Sequence, residues 1–97
     1  MTDRELLELA AKGAGIKSYR FGDAVYPHSH VWTPLTDDGD ALRLAVKLLF
    51  EIDMGRGCIA IRHSTGIKIL EAFNHDPLTA TRRAIVRAAA EIGRQHD

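Results

Sequence analysis

The chain has a single cysteine, Cys58, among 97 residues. An internal disulfide is therefore impossible, and a cysteine-rich metal site is excluded. There is no surplus of charge of either sign, because Lys plus Arg and Asp plus Glu are 13 each. Nucleic-acid-binding domains usually carry whole-domain basicity, so this balance argues against that partner and leaves only a local basic patch to supply it. Zero net charge also offers little repulsion between copies, which eases self-association. No apolar run approaches the roughly 18 residues of a membrane span. The first nine residues hold Asp3, Glu5 and Glu8 where a signal peptide has a basic start and an apolar stretch. The expectation is a cytoplasmic protein without a membrane partner. Repeats, low-complexity segments and G-x-S-x-G blocks are absent, so no enzyme chemistry and no cofactor is expected.

What is present is ordinary globular composition, 45% hydrophobic and 27% charged, at the length of one domain spanning 1–97. Thr2 and Glu5 have the S/T-x-x-E spacing of a capping box and open a helix to about Ala14. Leu6, Leu9 and Ala10 give that helix an apolar face, which Leu7 and Ala11 widen, and Gly13 with Gly15 supplies its stop. Ile16 to Val25 reads as a short strand or extended segment interrupted at Gly22-Asp23. Pro27 and Pro34 exclude a central strand over Tyr26 to Leu35, leaving a loop with an edge strand near His30 to Thr33. A second helix begins within Thr36-Asp37-Asp38-Gly39-Asp40 and runs through Ala41 to about Leu48, and the acidic residues suit its first turn. That helix carries two apolar stripes, Leu42-Val46-Leu49 and Ala41-Ala45-Leu48. So wide an arc predicts the most buried helix of the three.

Three strands follow, Leu49–Met54, Cys58–His63 and Ile67–Phe73. A two-residue turn at Gly55-Arg56 pairs Ile52 with Ile59 and Phe50 with Ile61. A three-residue loop ending at Gly66 pairs Ile61 with Ile69. Asp76 and Pro77 are a good N-cap and first residue for a third helix. Leu78, Thr81, Ile85, Ala88 and Ile92 mark its inner stripe, with Arg83, Arg87 and Arg94 opposite. The expected fold is α+β: an antiparallel three- to four-stranded sheet with two to three helices packed mainly on one face.

The block Trp32-Thr33-Pro34-Leu35-Thr36-Asp37-Asp38-Gly39-Asp40-Ala41-Leu42 resembles small hypothetical proteins of tailed phages and prophages, some of them grouped as NinX-type accessory proteins. The similarity extends to the opening Met1-to-Gly15 helix and to Ala80-Thr81-Arg82-Arg83-Ala84-Ile85-Val86-Arg87, about half the chain in all. Tyr19 to Val31 and Met54 to Lys68 depart from that pattern. The resemblance implies a phage or prophage accessory protein in a bacterial host. It implies no chemistry and no site residues.

Several residues invite chemical readings. In extended backbone His28 and His30 share a face and could take one metal or ligand, but only with further donors such as His63 or His75-Asp76. A pair of solvated loop histidines is the expectation, with no metal bound. Asp37-Asp38-Gly39-Asp40 lacks the spacing and distal Glu of a calcium loop and reads as an acidic helix start. Arg83, Arg87 and Arg94, with Arg82 beside them, could contact phosphates, but no aromatic residues interleave for base stacking. Gly55-Arg56-Gly57-Cys58 reads as a hairpin turn, and Cys58 has no activating partner. Trp32 reads as a core anchor, with an interface hot spot as the other use of a lone tryptophan. The inferred register places Leu49, Cys58, Ala60, Leu70 and Ala72 on the outer sheet face. Such a half-apolar face asks for a cover, either the Ile16-to-Leu35 segment or a second copy. Leu49, Ala60, Leu70 and Ala72 are thus the candidate interaction surface. The expected function is a non-catalytic protein-interaction module that forms a homodimer and meets an unidentified host or phage protein.

Overall fold

The computed structural model describes residues 1–16, 18–21, 24–27 and 31–95, with 18–21 and 24–27 described by backbone alone. The first helix, α1 (Asp3–Gly13), begins on the capping box. The Glu5 N–H donates to Thr2 Oγ1 and the Thr2 N–H to Glu5 Oε1, each at 3.1 Å. The pair satisfies two of the donors that every helix start leaves open. At the other end Gly15 takes φ +70° and the Ile16 N–H donates back to the Ala11 carbonyl at 2.8 Å. Gly15 alone supplies the left-handed stop. Gly13 is helical, and its role is packing against α3.

The extended segment that follows is two strands, β1 (Ser18–Phe21) and β2 (Ala24–Pro27), paired antiparallel with each other. They form a separate two-stranded sheet beside α1. Pro27 stands at the end of its strand, where a missing N–H is tolerated. After an isolated β-bridge at Trp32 the chain enters α2 (Asp38–Lys47). Asp37 caps it, accepting the Asp40 N–H at 2.8 Å. Asp40 is buried and accepts the Thr33 N–H at 2.9 Å and Arg43 Nη2 at 2.7 Å. Those bonds tie the loop to the helix and hold Trp32 in the core at 5% exposure. The core reading of Trp32 is the one the fold shows.

The main sheet has the order β3 (Glu51–Met54), β4 (Cys58–Arg62), β5 (Lys68–Ala72), all antiparallel. Ile61 pairs with Ile69, and Gly66 takes φ +97° in the connecting loop, as the spacing predicts. The first hairpin is displaced from its expected register by two residues. Ile52 faces Ile61 and Met54 faces Ile59, with Arg56-Gly57 at the turn and Gly55 N–H bonded to the Cys58 carbonyl at 2.9 Å. A two-residue slip leaves every side chain on its expected face, so hydrophobic alternation cannot distinguish the two registers.

The last helix, α3 (Pro77–Gln95), is the centre of the molecule. It lies on β4 and β5, and α1 and α2 pack against it. Nine of its residues are buried against four in α2, so α3 and not α2 is the most buried helix. Its alanines at 80, 84, 88, 89 and 90 let neighbouring backbones approach closely. Ile59 and Ile61 of β4 are fully enclosed beneath it. Burial of such a side chain is worth about 1.5–3 kcal/mol. The expected inner stripe holds at Ile85, Ala88 and Ile92 but not at Leu78, which is 62% exposed. Leu78 lies in the first turn of the helix.

Candidate functional site

The residues expected on the outer sheet face are divided by the fold. Leu49 lies outside the strand, in the turn after α2, with φ +56°. Ala60 is buried, Ala72 and Cys58 are small and exposed, and Leu70 is the one large apolar side chain, 57% exposed. The corrected register sets Glu51, Arg62 and Lys68 in one row and Asp53 beside Ala60. Arg62 bridges both acids, Glu51 at 3.8 Å and Asp53 at 3.2 Å. That face is therefore more polar than alternation alone suggests. The strands β1 and β2 lie beside α1 rather than over it.

The exposed apolar surface gathers instead on the other side of β3. Of nine exposed large apolar side chains among the described residues, six come from α2, the turn after it, β3 and the start of α3: Leu42, Val46, Leu49, Ile52, Met54 and Leu78. The helical repeat accounts for three of them. Ala41, Leu44 and Ala45 face α3, so the adjacent stripe Leu42-Val46-Leu49 turns outward. Beside it lies a groove of about 220 Å³ between Leu42 of α2, Ile52 of β3, and Leu78, Thr81 and Ile85 of α3. The Asp38–Arg82 ion pair stands at its rim, and Arg82 Nε also donates to the Leu35 carbonyl at 3.0 Å.

The groove opens on the outer edge of β3, which pairs with no other strand among the described residues. Gly55 bonds to Cys58 across the hairpin, and antiparallel bonding alternates. Asp53 and Glu51 therefore turn their backbone groups toward β4, whereas Ile52 and Met54 turn theirs outward. All four residues of β3 are exposed. The β5 edge differs, because the outward Leu70 carbonyl accepts Arg87 Nη1 at 3.2 Å.

The arginines expected on a solvated helix face line a second cleft, of about 330 Å³, between α1, β5 and α3. Arg83, Arg87 and Arg94 all reach it, each with a carboxylate. Arg83 pairs with Asp3 at 3.3 Å, Arg94 with Glu91 at 3.2 Å, and Arg87 with Glu71. Three cations matched by three anions form an ion-pair seam rather than an anion site, since a phosphate would have to displace a carboxylate from each arginine.

His28 and His30 lie outside the described residues. His63 and His75 stand beyond opposite ends of the five-residue β5, about 17 Å of strand apart, so they cannot share a metal. His63 Nδ1 lies 2.7 Å from Thr65 Oγ1 and accepts the Thr65 N–H at 3.3 Å, and its ring meets Phe50 edge-on at 5.6 Å. Those contacts make it a staple of the β4–β5 turn. Among the described residues no group of three or more His, Cys, Asp or Glu is placed to hold a metal ion, and no helix is long and apolar enough to cross a membrane.

The groove was missed in the sequence because either stripe of α2 could face inward. The available signal was the width of that apolar arc, more than one packing partner can cover. No family model, curated protein or solved structure matches this chain.

Proposed function

We propose that the protein is a non-catalytic interaction module that docks a partner on its α2–β3–α3 face. Its setting is that of a phage or prophage accessory protein in the bacterial cytoplasm, as the resemblance implies. The observation that carries the docking reading is the continuity of the Leu42-Val46-Leu49 stripe with the apolar groove. Contiguous exposed apolar surface of this kind marks interaction sites on soluble proteins. Leu49 adds weight, because it keeps a left-handed backbone and 84% exposure where glycine would fit without strain.

Affinity capture from infected or lysogenic cells tests this with two variants. Leu42→Asp/Leu78→Asp charges the groove, and Leu70→Asp charges the outer sheet face. All three positions are exposed, so both variants should fold. A partner held by the unmodified chain and by Leu70→Asp, but lost from the groove variant, is the expected result. Retention by the groove variant would sink the reading.

A further inference from the structure

We infer that the occupant of this face is an extended segment of a partner protein, alternating apolar and basic residues, which adds as a fourth strand to the free edge of β3. The inference rests on the docking reading above and names the chemistry of the partner. The free edge presents the backbone N–H and carbonyl groups of Ile52 and Met54, spaced as an added strand requires. Their side chains point to the helical side of the sheet, and Ile52 is itself a wall of the groove. Residues of the added strand that lie beside Ile52 and Met54 share that side and reach Leu42 and Leu78, so they must be apolar.

The intervening residues share the outer side with Glu51 and Asp53. Those carboxylates are 71% and 59% exposed and share one cation among the described residues, Arg62. One negative charge is left over at the edge, and a basic side chain opposite completes it. A second copy of this chain fits worse where the two β3 strands overlap most. With Ile52 opposite Ile52 of the second copy, Glu51 would lie opposite Asp53 twice, and like charges directly opposed across strands destabilise the pair. The β5 edge is a poorer acceptor because Arg87 occupies the Leu70 carbonyl.

The test titrates the full, isotopically labelled chain with a short capped peptide alternating Val and Lys, followed by NMR. Three comparison peptides are used: Val and Glu alternating, and two Val-Lys peptides with alternate amides N-methylated, one in each phase. The Ile52 and Met54 amides and the Leu42 and Leu78 methyls should shift together. The Glu peptide should bind about tenfold more weakly. One phase of N-methylation should abolish binding and the other should leave it intact. Groove shifts indifferent to charge and to methylation would overturn strand addition while leaving the docking reading standing. No shift with any peptide, or a dimer formed through β3, would also overturn it. The capture experiment with Leu42→Asp/Leu78→Asp decides the docking reading separately.

Discussion

Gly13 of α1 and Gly93 of α3 face one another where the two helices cross, and neither position has room for a side chain. A Cβ on Gly93 would stand 2.0 Å from the Leu9 carbonyl oxygen, and one on Gly13 would stand 2.2 Å from that of Ala89. Backbone meets backbone there, and this crossing holds α3 in place above the sheet and beside α2. The groove depends on that position, since Leu78, Thr81 and Ile85 form one of its walls.

Gly93→Ala should therefore destabilise, although alanine is the better helix former. Propensity favours the change by about 0.5–1 kcal/mol. Overpacking against a carbonyl that cannot yield costs about 1–3 kcal/mol or more. The net loss should appear as a lower urea midpoint. A stabilised variant would show that the helices do not cross this closely.

Leu49→Gly should do the opposite. The turn after α2 repeats the one after α1, with the Leu49 N–H bonded to the Val46 carbonyl at 3.2 Å and the Phe50 N–H to that of Ala45 at 3.0 Å. Gly15 holds the left-handed position in the first turn and Leu49 holds it in the second. Left-handed backbone costs a side-chain-bearing residue about 1–2 kcal/mol, and the greater freedom of glycine in the unfolded chain returns part of that. A gain of about 0.5–1 kcal/mol in thermal or urea unfolding is expected. If Leu49 is kept for docking, the same variant should bind the partner less well.

Ile85→Ala and Leu42→Ala should separate buried from exposed apolar positions. Ile85 is 3% exposed and Leu42 is 59% exposed. The first change should cost about 2–4 kcal/mol. The second should change stability by less than about 0.5 kcal/mol. Equal effects in urea melts would mean that the stripe on α2 is covered by the chain itself.

Acid should weaken the starts of α1 and α3. Hydrogen bonds from the Thr2 backbone and side chain hold the Glu5 carboxyl below its ordinary pKa. The Thr79 hydroxyl, and then its backbone N–H, do the same for Asp76. Both pKa values are depressed in the folded state. Their stabilisation is therefore present above the unfolded carboxyl values and is lost as pH falls through the folded ones. Glu5→Gln and Asp76→Asn should each flatten the acid limb of a stability–pH curve and leave the limb above neutral pH unchanged. A steeper acid limb in either variant would contradict this.

How much of this was legible in the sequence depends on how local each interaction is. The capping box at Thr2 and Glu5, the Asp76-Pro77 helix start and the Gly66 turn bond residues within a few positions of one another, and periodicity identifies which residues share a strand face. From these the three helices and the three-stranded antiparallel sheet follow. The hairpin register did not, because a slip of two residues preserves every alternation. The candidate site did not either. Which stripe of α2 faces inward, and whether Arg87 meets water or Glu71, depends on how α3 lies against the sheet, and that is set by Gly13 and Gly93, eighty residues apart in the chain. The elements, their caps and their faces follow from residue order alone, because those are short-range hydrogen-bonding and side-chain preferences. Which apolar surface is left over emerges only in the assembled fold, because it is the difference between what each element offers and what its distant neighbours cover.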